Sequence, residues 1–378
     1  MSAVDLWEKA SAAGAPLVSP VTAQGLVEVT FVWRGEAAST SVGWGQQHPL
    51  RRSPGTDVWH ATLRLPATMR TIYYLSHLPP DAYQAPRDDS GVSPESHVDP
   101  LNPQRLLFPG DPGDPSDKDA WASMLTLPLA KPERWSLPEP GVPAGTLEQV
   151  NLDGGRRAGV YRPPGEHRAG RPVVVVFDGY LGRTMMRMPT TIDNLIAAGR
   201  IPPLVAIFVD GHDATRNEDL APTSEATAHF VTHELMPWAR KELGVSPYPA
   251  DVALAGMSLG GLAAAHLALR EPSVFGGVIS HSGSFWWPWA QHGEPELLTR
   301  EVARRPRSDV RFYLDVGDRE TFVVTPGNPQ QVEVNRRFRD ALRARGYEVT
   351  YAEYPGEHDY VNWRNTFADG LIAIFGKG

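Results

Sequence analysis

The 378-residue sequence predicts two unlike halves. Residues 1–108 read as a small all-β sandwich of immunoglobulin-like type. Residues 146–378 read as a doubly wound, mostly parallel sheet with helices on both faces. A Pro/Gly-rich connector, 109–145, lies between them. Three observations carry this reading. Short strand signals crowd the first hundred residues, with no convincing long helix until well past residue 100. Beyond residue 146 the apolar runs stop alternating and helical stretches fall between them. One of those strand-to-helix junctions carries the pattern G-x-S-x-G.

In the first half, 27–34 is rich in valine, threonine and aromatic residues, 58–65 alternates apolar with polar, and 71–75 is a third short run. Alternation has the period of a half-buried strand, and glycine and proline punctuate the runs. The connector reads PGDPGDPSDKD and then PEPGVPAG. Trp121, Met124, Leu125 and Leu127 interrupt it, so a partly ordered segment docked by those side chains is expected in place of a free linker. In the second half the strands are expected at 173–177, 204–209, 252–254 and 275–279, with helices at 191–198, 226–243, 259–270 and 332–345. Unbroken β-branched runs suit strands buried on both faces.

Composition excludes several classes. The net charge of −8 argues against non-specific binding to nucleic acid or an anionic membrane surface. With no cysteine there is no disulfide, thiolate metal site or thiol nucleophile. The opening MSAVDLWEKA lacks the basic-then-apolar pattern of a secretory signal, and the apolar runs are too short to span a bilayer. A cytoplasmic protein is expected, acting on a small molecule, with neither nucleic acid nor membrane as partner.

The chemistry concentrates at Gly256-Met257-Ser258-Leu259-Gly260. A buried strand runs into this segment and a helix runs out. That context makes Ser258 the nucleophile of an α/β-hydrolase elbow and the Leu259 N–H an oxyanion donor. The bland alternative is a small-residue turn. A second donor is expected after the 173–177 strand, at Asp178-Gly179-Tyr180, with Tyr180 preferred. The general base must lie downstream. Of His266, His281, His292 and His358, the last follows a late strand and precedes the terminal helix, where a loop can carry an imidazole to the serine. The acid lies between them. A strand ends near Val316, and Asp318 and Glu320 follow. Spacing leaves both open, and disfavours Asp315 within the strand. His229, His233 and Glu234 share a helix face, but they are not H-E-x-x-H and no third ligand follows, so no metal site and no cofactor is expected.

The residues named so far sit among longer matching segments. VTFVWRG at 29–35, GTDVWHATLRL at 55–65, DPLNPQ at 99–104, GMSLGG at 256–261, SGSFWWP at 282–288 and the GEHD turn with Trp363 together resemble the enterochelin esterases, over nearly the whole chain. The wider superfamily shares Arg216, Glu218 and Leu220. The resemblance implies hydrolysis of the trilactone of a ferric catecholate siderophore, with iron entering only as part of the substrate. It places Ser258 as nucleophile, His358 as base and, through the turn Gly317–Glu320, Glu320 ahead of Asp318 as acid. Some relatives work with a Ser-His dyad. An anionic aromatic substrate directs attention to Trp286 and Trp287, with Phe285 and Trp289 beside them, for stacking. Arg105, Arg183, Arg187 and Arg216 are the candidates for charge, though each is as readily a structural arginine. Two rival readings are an esterase for acetyl or feruloyl esters and a non-catalytic siderophore binder with a relic triad.

Overall fold

The computed structural model describes residues 2–78, 95–114, 116–152, 155–211 and 215–376. The chain divides into two units: residues 1–132 with 355–362, and residues 133–354 with 363–378.

The first unit opens on a helix that the sequence reading did not expect, α1 (Ala3–Ala13). Its start is a capping box: the Ser2 hydroxyl accepts from the Asp5 N–H, and the Asp5 carboxylate accepts from the Ser2 N–H. Eight strands follow: β1 (Leu17–Val18), β2 (Leu26–Arg34), β3 (Ser39–Gly43), β4 (Gln47–Arg52), β5 (Val58–Pro66), β6 (Arg70–Leu78), β7 (Arg105–Phe108) and β8 (Ala120–Thr126). They pair in the order β1-β2-β5-β4-β3-β6-β8-β7, every pair antiparallel. In a flat sheet β2 and β6, four steps apart, would be about 19 Å distant. Phe31 of β2 nevertheless packs edge-on against Tyr73 of β6, with ring centroids 5.0 Å apart. The sheet therefore curls around a core that includes Val27, Val29, Phe31, Val42, Leu65, Tyr73 and Leu125.

The expected connector is corrected here. Part of 109–145 is β8, hydrogen-bonded between β6 and β7, with Ala122, Ser123 and Leu125 buried. The flanking prolines and aspartates hid a short strand whose burial comes from its neighbours in the sheet. Leu127 and Leu129 then donate to the carbonyls of Met69 and Ala67, and the boundary between the units falls at 132/133.

The second unit carries β9 (Thr146–Asn151), β10 (Arg157–Arg162), β11 (Val173–Val176), β12 (Val205–Val209), β13 (Val252–Met257), β14 (Gly277–His281), β15 (Arg311–Gly317) and β16 (Glu348–Tyr354). Its helices are α2 (Gly179–Arg183), α3 (Met188–Ala197), α4 (Arg216–Asp219), α5 (Glu225–His229), α6 (Met236–Glu242), α7 (Leu259–Arg270), α8 (Leu297–Arg304), α9 (Gln331–Ala344) and α10 (Tyr360–Phe375). The helix expected over 226–243 is α5 and α6 joined by a wider π turn, Phe230–Leu235. The sheet order is β16-β15-β14-β13-β11-β12-β10-β9. From β16 to β12 it is parallel, and β10 and β9 close it antiparallel. Val173–Val176, Val205–Val209 and Val252–Met257 are buried throughout, as unbroken apolar runs require.

Chain order reverses around β11, with β12 on one side and β13 on the other. A crevice at the carboxyl ends of such strands is where open α/β sheets bind ligands. The turns after β11 and β13 both open there, and they are the two turns singled out from sequence.

Candidate active site

Ser258 sits between β13 and α7 at φ 55°, ψ −119°, a conformation that non-glycine residues rarely adopt. The surroundings compel it. A Cβ at position 256 would overlap the Gly260 carbonyl. One at 261 would overlap the Ser280 hydroxyl, and one at 260 would meet Asp178 Oδ2 at 3.1 Å and Phe177 at 3.3 Å. Only glycine lets strand and helix cross so closely, so these three glycines have a packing cause. Ser258 remains partly exposed while its neighbours Met257 and Leu259 are buried.

The adjoining turn after β14 fastens the elbow. The Ser258 N–H donates to the His281 carbonyl at 2.9 Å, and the Ser284 N–H donates to the Ser258 carbonyl at 3.0 Å. The two side chains also meet, Ser258 Oγ to Ser284 Oγ, at 3.1 Å. Leu259 is the first residue of α7, where backbone N–H groups have no partner within a helix. Tyr180 is the second residue of α2, after Asp178 at φ 55°. Gly179 is required there because a Cβ would overlap the backbone of Phe208 on β12.

The two candidate acids differ in burial. Asp318 is exposed. Glu320 is wholly buried, and three donors converge on its Oε1: the Ser282 hydroxyl at 2.6 Å, the Gly317 N–H at 2.7 Å and the Tyr354 hydroxyl at 3.4 Å. The indole N–H of Trp363 donates to Ser282 Oγ at 2.9 Å, so the whole group is held from α10 as well. Sequence spacing could not separate the carboxylates because the distinction is one of burial.

The histidines also sort themselves. His281 Nδ1 lies 2.8 Å from Asp315 Oδ2, resembling a base–acid couple, but both side chains are completely buried within neighbouring strands β14 and β15. His266 is half-buried on α7, and desolvation pushes its pKa down to about 4. His292 lies in the loop after Trp289. His358 is partly exposed, in the loop ahead of α10, within the segment 355–362 that groups with the first unit. That loop is anchored by Asp359, which is fully buried. Its Oδ2 accepts from the Thr71 hydroxyl at 2.6 Å, and its Oδ1 accepts from the N–H and side-chain amide of Asn362 at 3.1 and 3.0 Å. Burial raises the Asp359 carboxyl to about 7. Glu357, beside it, faces His48 Nε2 at 3.9 Å.

The residues expected to meet substrate fare unevenly. Trp286 and Trp287 are buried in the core of the second unit, Trp286 edge-on to Trp289 at 5.3 Å. Phe285 stacks on Phe338. Arg183 is bidentate on Asp210, with both side chains nearly out of solvent (7% and 3% exposed). Arg216 pairs with Asp178, not with Glu218: Nε to Oδ1 at 2.6 Å and Nη2 to Oδ2 at 2.7 Å. It clamps the turn that presents Tyr180 and keeps 29% of its side chain exposed. Arg187 is the left-handed N-cap of α3. Arg105, in the first unit, donates to the carbonyls of Asp99 and Gln104. His229 and Glu234 form an exposed hydrogen-bonded pair at 3.2 Å. Among the described residues no cluster of three or more His, Asp or Glu is arranged to hold a metal, and no helix is long and apolar enough to cross a membrane. Sequence reasoning named the segments that hold Asp178, Ser282 and Ser284 but assigned these side chains no contact, because their partners Arg216, Glu320 and Ser258 lie far along the chain.

Comparison with known proteins decides the family. A model described as "Putative esterase" matches residues 150–374, and one described as "Enterochelin esterase, N-terminal" matches 28–136. The iron(III) enterobactin esterase of Dickeya dadantii is 30% identical, over 97% of this chain and 91% of its own length. The chain belongs to the enterochelin esterase family. The iron(III) salmochelin esterase of Escherichia coli is 29% identical, covering 98% of this chain and 93% of its own. The crystal structure of ferric enterobactin esterase from Salmonella typhimurium shares the fold, with a TM-score of 0.75, 24% identity and 98% of each chain covered. This family member is thus an ester hydrolase of α/β-hydrolase fold, and its likeness to these relatives spans both units.

Proposed function

We propose that this esterase hydrolyses the trilactone esters of a ferric catecholate siderophore in the cytoplasm and so frees the iron. The observation that carries the substrate class is the end-to-end likeness to esterases named for iron(III) enterobactin and salmochelin, first unit included. In the same reading the first unit is an immunoglobulin-like sandwich, which its curled antiparallel sheet supports.

The mechanism is acyl transfer in two steps. Ser258 Oγ attacks the ester carbonyl carbon while His358 takes its proton, and Glu320 holds the imidazole tautomer. The tetrahedral oxyanion is met by the N–H groups of Leu259 and Tyr180. The C–O bond to the leaving alkoxide breaks, and that alkoxide takes the proton from His358. Water, deprotonated by His358, then attacks the acyl carbon; the bond from that carbon to Ser258 Oγ breaks, Ser258 takes the proton back from His358, and the acid leaves. No cofactor takes part, and iron belongs to the substrate. Of the arginines, Arg216 is best placed to meet an anionic substrate, because its guanidinium is oriented by Asp178 yet still reaches solvent.

The test is hydrolysis of a cyclic catecholate trilactone, with and without iron, followed by chromatography beside p-nitrophenyl acetate and the Ser258→Ala variant. Trilactone cleavage far above the acetate control, reduced about 10⁴-fold in the variant, is expected. Cleavage of the acetate alone would refute the substrate class and keep the mechanism.

A further inference from the structure

The turn after β14 lies between the proposed nucleophile and the proposed acid and touches both. Its residues are held in place from several sides. Ser282 adopts φ 47°. The Gln331 amide of α9 donates to the carbonyls of Ser282 at 2.5 Å and Gly283 at 3.1 Å, and Asn335 donates to Gly283 at 2.9 Å. Position 283 must be glycine, because a Cβ would press on the Phe285 ring and on Ser280 Oγ. Ser282 spends its hydroxyl on Glu320. Ser284, two residues on and 1% exposed, directs its hydroxyl at Ser258 Oγ.

We propose that Ser284 is a further catalytic residue: its hydroxyl donates to Ser258 Oγ, fixes the nucleophile's rotamer and stabilises the oxygen as its proton leaves. The inference rests on Ser258 and His358 acting as nucleophile and base. Direction follows from counting donors. Ser258 has one O–H, and attack requires that it point at the base, so the contact between the two hydroxyls must be a donation from Ser284. A neutral hydrogen bond becomes charge-assisted as Ser258 approaches the alkoxide, so it is stronger at the transition state than in the resting enzyme. Such an interaction raises kcat and leaves substrate binding alone. Ser284 keeps its proton throughout. The alkoxy oxygen of the acyl-enzyme ester is a poorer acceptor, and the bond strengthens again when Ser258 departs as leaving group. Both half-reactions benefit.

The experiment uses the full chain with Ser284→Ala, the near-isosteric weaker donor Ser284→Cys, and Ser258→Ala. It reads kcat and KM on p-nitrophenyl acetate, the rate of phosphorylation by an organophosphate ester, and the thermal midpoint. A loss of about 10- to 100-fold in kcat and in labelling rate is expected for Ser284→Ala, with KM unchanged. Ser284→Cys should fall between it and the parent at an unchanged thermal midpoint. Ser284→Ala at parental kcat, a loss confined to KM, or a Ser284→Cys variant as fast as the parent would overturn the proposal. If Ser284→Ala does not fold, the Cys variant alone decides. Ser258→Ala separates the two levels: full activity there sinks the nucleophile assignment itself, whereas an inactive Ser258→Ala beside a fully active Ser284→Ala sinks only this inference.

Discussion

Replacing Asp359 with Asn should change how stability depends on pH, and the size follows from burial. The carboxyl has an ordinary value of 3.8 and stands near 7 in the fold, raised chiefly by burial and further by Glu357. The hydrogen bonds from Thr71, Asn362 and Ile72 act in the opposite direction. Between those values the folded chain binds more protons than the unfolded chain, so stability falls as pH rises through the window and levels off above about 7. At about 1.4 kcal/mol per tenfold change in proton affinity, the ionised group costs about 4 kcal/mol at the plateau, of which about 2 to 3 kcal/mol develops between pH 5 and 8. Asn cannot titrate, and its side-chain oxygen keeps the acceptor for Asn362. Urea unfolding of parent and variant at a series of pH values isolates the effect, because groups that do not interact with Asp359 cancel in the difference. The variant should gain on the parent by 2 to 3 kcal/mol from about pH 5 to about pH 8. A difference that is flat across that range, or that runs the other way, would refute the argument that burial dominates at Asp359.

Two further outcomes follow from single contacts. Arg183→Ala leaves Asp210 buried without its bidentate partner, and should cost about 3 to 5 kcal/mol in urea unfolding. An unchanged stability with a raised KM for the ferric substrate would instead assign Arg183 to binding. Glu320→Gln preserves the shape and the acceptor that Ser282 and Gly317 use, so the fold should hold while kcat drops by about 10² to 10⁴ through loss of the charge that orients the imidazolium. Undiminished kcat at the parental thermal midpoint would mean that the enzyme works with Ser258 and His358 alone.

Features set by local chain chemistry were legible in the sequence, and features set by contacts across the fold were not. The elbow was readable because G-x-S-x-G marks a crossing of strand and helix too close for side chains, and the surroundings of Gly256 and Gly260 show that crossing. The parallel strands were readable because burial on both faces leaves an unbroken apolar run. Helix α1 was equally legible, since Ser2 and Asp5 have the spacing of a capping box, but a single short helix ahead of a β half escaped a search for long periodic segments. Strand β8 hid because its burial is supplied by β6 and β7, distant in sequence. The burial of Glu320 but not Asp318, the Arg216–Asp178 pair and the Ser284 contact all depend on which segments meet in the fold, which no spacing encodes.

Charge pairing also decides how an acidic chain presents cations to an anionic ligand. The sequence offers several arginines as candidates to meet an anionic substrate, each as readily structural, in a protein of net charge −8. The structure shows that two of those guanidiniums are balanced, Arg183 by Asp210 and Arg216 by Asp178. A buried, balanced pair presents almost no field to a ligand and is expensive to break, which describes Arg183. The Arg216 pair differs: Asp178 fixes the plane of the guanidinium, and 29% of the arginine side chain stays exposed. Its partner Asp178 also stands in the left-handed turn ahead of Tyr180 and packs against Gly260. One residue thus orients a cation through its carboxylate, stands in left-handed backbone ahead of Tyr180 and abuts the elbow.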